Sequence, residues 1–121
     1  MTRSIIFLVA VLGVGGLGSL PACKKAAASD PAEGRTLFQN NCARCHGTEG
    51  KGGLPVFAGG PSPRNFTEHA FHAERTDDQL RMTIVNGKGA GMPPFGQAFT
   101  DAQLSSLVAH VRSLDSESKK Q

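Results

Sequence analysis

Cys42-Ala43-Arg44-Cys45-His46 places two thiols three residues apart, with an imidazole directly after the second. On a helical turn, residues three apart share a face and are separated by roughly 4.5 Å along the axis. Both thiols can then address one edge of a flat ring while His46 ligates a metal beneath it. That is the chemistry of c-type haem attachment, in which the thiols add across two vinyl groups and the histidine takes an axial position on the iron. Two other chemistries use a C-x-x-C pair. A redox dithiol of the thioredoxin type needs a βαβ setting, and no alternating strand pattern flanks this motif. A zinc site would draw on Cys42, Cys45, His69 and His72, yet the His69-x-x-His72 gap is tighter than the three to five residues that usually separate paired histidines.

A second chemically distinctive stretch is Gly87-Lys-Gly-Ala-Gly-Met92-Pro93-Pro94-Phe95-Gly96. Its glycines allow close backbone approach and its prolines stiffen the chain just after the methionine. Met92 therefore sits in a constrained loop, not on a helix face where a methionine is usually core filler. A thioether is a soft iron ligand, and His/Met is a known c-type pairing. Competing axial ligands are His69, His72 or His110, which would give a bis-imidazole site, and Met82, expected in the core of an apolar helix. Arg64 can hold a haem propionate through a charge-assisted hydrogen bond.

These groups must be positioned by helices, because the periodicity along the chain is helical. Asp30-Pro31-Ala32-Glu33 is a start signal with an N-cap, a first-turn proline and an acid three residues on. The helix it opens carries Gly34, Leu37 and Phe38 toward the cysteines. Gly47 to Pro63 is an irregular Gly- and Pro-rich loop, without the Lys-Ser/Thr ending of a phosphate-binding loop or a dinucleotide fingerprint. A weak helical turn is expected over 67–73, with His69 and His72 on the surface. Thr76-Asp-Asp-Gln79 caps the next helix, carrying Leu80, Met82, Ile84 and Val85 and stopping at Asn86-Gly87. Thr100-Asp-Ala-Gln103 caps the last, whose Leu104, Leu107, Val108, Val111 and Leu114 form one apolar stripe.

With 121 residues, seven Phe and neither Trp nor Tyr, the chain has room for one domain with a modest core. Residues 1–22 have a secretory signal pattern: Arg3, an apolar run from Ile5 to Leu20, and small residues before the cut. The run is short for a spanning helix. Leu20-Pro21-Ala22-Cys23 resembles the lipobox of bacterial lipoproteins, so Cys23 is expected to become an acylated N-terminus, with several acyl chains giving a stable membrane anchor. Residues 23–29 would be this lipidated start and a short polar linker, 30–115 the folded domain and 116–121 a polar tail. From Cys23 onward, 12 Lys and Arg stand against 10 Asp and Glu. Two propionates bring this close to neutral, and nucleic-acid binding is not indicated.

From Asp30 to Leu114 the chain resembles a small class I monohaem cytochrome c. The resemblance rests on Gly34 and Phe38 in a first helix, Cys42-Ala43-Arg44-Cys45-His46, Met92-Pro93-Pro94, and a closing amphipathic helix. It implies an all-α fold in which the N- and C-terminal helices cross and further short helices and loops wrap one covalent haem c. It also implies thioethers at Cys42 and Cys45, His46 as proximal ligand and Met92 as distal ligand. Pro55 would match the proline that supports the proximal histidine. His110 stands where an aromatic residue is frequent, and without Trp or Tyr the propionate partners left are Arg64 and Asn65. Haem attachment outside the cytoplasm fits export to the periplasm. The implied function is one-electron transfer between a donor and an acceptor protein, with no small-molecule substrate. The alternative is a haem enzyme or a gas or redox sensor with a labile distal ligand.

Overall fold

The computed structural model describes residues 28–120. Five helices follow in order: α1 (Pro31–Asn41), α2 (Ala43–His46), α3 (His69–Ala73), α4 (Asp77–Asn86) and α5 (Asp101–Ser113), with a 3-10 turn at Ser118–Lys120. Among the described residues the one β feature is an isolated antiparallel bridge between Lys88 and Met92. Among the described residues no helix is long and apolar enough to cross a membrane. Cys23 and residues 1–22 lie outside the described residues.

The organising contact is α1 across α5, with α4 also against α5 and α2 against α1. It exists because Gly34 and Phe38, four residues apart on α1, present a notch and a knob to the apolar stripe of α5. A methyl group on Gly34 would overlap the backbone carbonyl of Ser106, so the helix backbones touch directly. Phe38 and Leu107 are almost fully buried, and Leu80, Val108, Val111 and Leu114 complete the cluster. Burying a side chain of this size contributes about 1.5–3 kcal/mol.

Polar groups fix the register of the crossing. Asp30 Oδ1 caps α1 by accepting from the backbone N–H of Ala32 at 2.9 Å and of Glu33 at 3.3 Å. The reciprocal half of a capping box is absent there, because the fully buried Ser106 hydroxyl intervenes. It accepts from Asp30 N–H at 2.9 Å and donates to Glu33 Oε2 at 3.1 Å. Both α4 and α5 do start with complete capping boxes, Thr76/Gln79 and Thr100/Gln103, each cap contributing about 1 kcal/mol. Arg81 pairs with Asp101 and joins α4 to the start of α5. Arg112 of α5 reaches Asp77 Oδ1 at 2.8 Å and donates to the His72 carbonyl at 2.9 Å, which binds α3 and the α4 N-terminus to α5.

Two side chains lie elsewhere than expected. Met82 is 53% exposed: two residues from Leu80 on α4 is about 200° of helical rotation, which turns it away from the buried face. His72 is buried, its Nε2 2.6 Å from the Phe66 carbonyl. The short α3 packs inward through it, a placement that residue type alone does not signal.

Candidate haem site

Cys42 closes α1 and opens α2; its carbonyl accepts from the N–H of Cys45 at 3.1 Å and of His46 at 2.9 Å. One helical turn therefore carries both cysteines and the histidine, as the spacing demands. The two thiols are half-buried and not joined to each other. Burial, and then the neighbouring Cys45, push Cys42 up to about 11, so at neutral pH it is a protonated thiol. Among the described residues no three His, Cys, Asp or Glu side chains gather to hold a metal.

His46 is held from two sides. Its Nδ1 lies 3.1 Å from the Arg64 carbonyl oxygen. A carbonyl only accepts, so Nδ1 carries the proton and Nε2 keeps its lone pair, the tautomer a metal-ligating histidine requires. Its ring stacks on Phe66 with centroids 4.5 Å apart and planes 20° from parallel. Burial lowers its pKa below the ordinary imidazole value, partly offset by the hydrogen bond to the Arg64 carbonyl. The supporting carbonyl comes from Arg64, not from Pro55, because the loop folds back through Phe66 N–H to Gly50 O at 2.6 Å and Gly52 N–H to His46 O at 2.8 Å. A β-carbon on Gly53 would lie 2.7 Å from the Cys45 carbonyl, so the glycines are the means by which this loop lies against the motif.

Met92 is fixed by different means. Its N–H donates to Lys88 O at 3.3 Å, and Lys88 N–H donates to its carbonyl at 2.9 Å. Gly87 makes the turn possible, with φ +71° and a carbonyl of Met92 where a side chain would be. After the two prolines, Phe95 N–H and Gly96 N–H each bond at 3.0 Å to Ile84 O and Val85 O, tying the loop to the end of α4.

The competing imidazoles are committed elsewhere. His69 Nδ1 is 2.9 Å from Asp115 Oδ2, His72 is bonded to Phe66, and His110 lies against Phe38 with centroids 5.0 Å apart. The Arg64 guanidinium pairs with Glu68 at 2.7 Å and covers the Phe71 ring at 5.1 Å. Asn65 Oδ1 accepts from Thr67 N–H and its hydroxyl at 2.9 and 2.8 Å. Sequence reasoning missed the Arg64 carbonyl, which no side-chain pattern encodes, and Phe66, for which an aromatic directly after Arg64-Asn65 was the available signal.

Two thiols on one turn would suit covalent attachment of a c-type haem, and an imidazole with Nε2 unprotonated and a thioether in a fixed loop would suit its axial positions. Comparison with known proteins finds c-type cytochromes. The family described as cytochrome c oxidase, cbb3-type, subunit III matches residues 29–111. The cbb3-type cytochrome c oxidase subunit CcoP of Rubrivivax gelatinosus is 35% identical over 96 residues, covering 74% of this chain and 29% of that protein. The chain thus spans under a third of such oxidase subunits. Cytochrome c6 of a Synechococcus strain is 35% identical over 92 residues, covering 76% of this chain and 75% of its own length. Among solved structures, the c-type cytochrome KustC0563 superposes with a TM-score of 0.61 at 27% identity, covering 68% of this chain and 96% of that one. On these grounds the chain belongs to the family described as cytochrome c oxidase, cbb3-type, subunit III, and its described residues form an all-α c-type cytochrome domain for one covalently bound haem c.

Proposed function

We propose that this cytochrome carries single electrons on a haem held by thioethers at Cys42 and Cys45 and ligated by His46 Nε2 and Met92 Sδ. The observation that carries the reading is the pairing of a His46 tautomer set by the Arg64 carbonyl with a Met92 loop locked by its bridge to Lys88. When bound, the haem supplies the one-electron Fe(III)/Fe(II) couple. The chain's part is to hold both ligands still, so that little rearranges on electron transfer, and to bury the ring's apolar body. A soft sulfur favours the reduced iron and raises the potential. An enzyme or sensor needs an open or labile position, which a fixed thioether closes.

Arg64 and Asn65 remain our proposed propionate contacts, with Arg64 exchanging Glu68 for the propionate. Residues 1–22 we propose as an export signal and Cys23 as the lipidated start of a periplasmic, membrane-anchored carrier whose domain spans 30–115. Because the oxidase relatives are cbb3-type subunits, we propose a membrane-bound respiratory oxidase or its electron donor as partner.

The test is Met92→Ala. It should abolish the far-red sulfur-to-iron charge-transfer band of the ferric protein, lower the potential and open the reduced iron to carbon monoxide. Met82→Ala should do none of these. A wild type that lacks the band and binds carbon monoxide freely would falsify the ligand assignment.

A further inference from the structure

The loop C-terminal to the haem motif and the loop that carries Met92 meet at one point. A methyl group on Gly91 would lie 3.4 Å from Val56 Cγ2 and 3.9 Å from Phe57 Cε1, ordinary van der Waals distance. Phe57 is aimed there by its own turn: Gly60 N–H donates to Phe57 O at 3.0 Å, and a β-carbon on Gly60 would lie 2.7 Å from ring atoms Cε2 and Cζ. The ring is thus seated over a glycine, where no other side chain fits without moving it. Val56 and Phe57 are 50% and 43% exposed, large apolar residues whose covered halves face a loop and not the α1–α5 core. The Lys88–Met92 bridge and the ties to Ile84 and Val85 hold the Met92 loop from its two ends. Gly91 lies inside the turn that the bridge closes, next to Met92, and the side chains that approach it from outside the loop are those of Val56 and Phe57.

We infer that Val56 and Phe57 form a latch on the Met92 loop, positioning residues that keep the thioether on the iron by resisting outward movement of Gly91. This rests on Met92 being the distal ligand. It also gives the loop after His46 a role at the other proposed ligand, coupling the persistence of that bond to a segment that carries no ligand itself.

Carbon monoxide can bind the reduced iron only when the methionine has left, so its association rate reads how often the loop opens. In the holoprotein, Val56→Ala/Phe57→Ala should accelerate carbon monoxide binding about tenfold and weaken the ferric far-red band. Gly91→Ala is backbone-compatible, since Gly91 is not among the glycines at positive φ. Its methyl adds contact with Val56 and should slow binding about fourfold, the equivalent of one buried methyl group, while restoring much of the loss in a Phe57→Ala background. A merely structural role would change thermal stability and leave the rescue without effect. Leu54→Ala, at a side chain 88% exposed, should match wild type. If the double variant does not accumulate with haem, the slowing by Gly91→Ala carries the test alone. Wild-type rates in these variants, with the band present in all, overturn the latch. A wild type without the band overturns the Met92 assignment, and the latch with it.

Discussion

His110 shows how one side chain can be both packing and liability. It occupies the α1–α5 crossing as a flat ring against Phe38, 8% exposed, but its Nε2 is buried without a hydrogen-bond partner. Burial lowers its pKa, and the Arg35 cation on α1 lowers it further. The folded state therefore prefers neutral His110, whereas the unfolded chain takes up the proton at about 6.5. As pH falls below that value the unfolded state binds more protons, so stability declines until the depressed folded pKa is passed. His110→Phe should keep the ring, remove the unpaired nitrogen and raise stability by about 1 kcal/mol or more. It should also flatten the slope of stability against pH between about 7 and 5. Denaturant melts of the holoprotein across that range decide it, and an unchanged slope would show that His110 is not the acid-sensitive group.

At the scale of elements, the crossing is set by absence of a side chain. Gly34 leaves room for the Ser106 carbonyl, and backbone on both sides cannot yield as a flexible side chain would. Gly34→Ala should cost about 3 kcal/mol or more, beyond the usual range for overpacking, and lower the melting temperature without changing the ligand band. A loss under about 1 kcal/mol would mean that the helices can slide apart cheaply. This contact was legible beforehand, because a glycine and a phenylalanine four apart in a helix is a pattern with a packing reason. So were the caps at Thr76 and Thr100, the α5 stripe and the single turn bearing Cys42, Cys45 and His46, all of which depend on near neighbours in the chain. What stayed hidden depends on distant backbone or on competition for one group. The Arg64 carbonyl reaches His46 across 18 residues. Ser106 displaces the Glu33 half of a capping box from 73 residues away. Met82 and His72 exchanged expected places because a short apolar run and a short helix do not by themselves declare which side faces in.

For the whole molecule, the core is made by joining segments from opposite ends of the described chain. Asp30 and Ser106, directly bonded, are 76 residues apart, and closing a loop of that length costs roughly 4 kcal/mol in chain entropy. Between the two crossing helices lie long irregular stretches whose contacts are mostly backbone bonds around the haem motif and the Met92 loop. That division has a consequence for covalent continuity. Cutting the backbone between Gly53 and Leu54, at a site exposed to solvent, would leave one piece with α1, α2, both cysteines and His46, and another with α3 to α5 and Met92. Each piece holds one partner of the crossing and one proposed iron ligand, so neither can complete core or cofactor site alone. A holoprotein nicked there through an inserted protease sequence should elute as one species and keep its far-red band. Separation of the pieces without denaturant would mean that the loop, and not the helix crossing, holds the two halves of the molecule together.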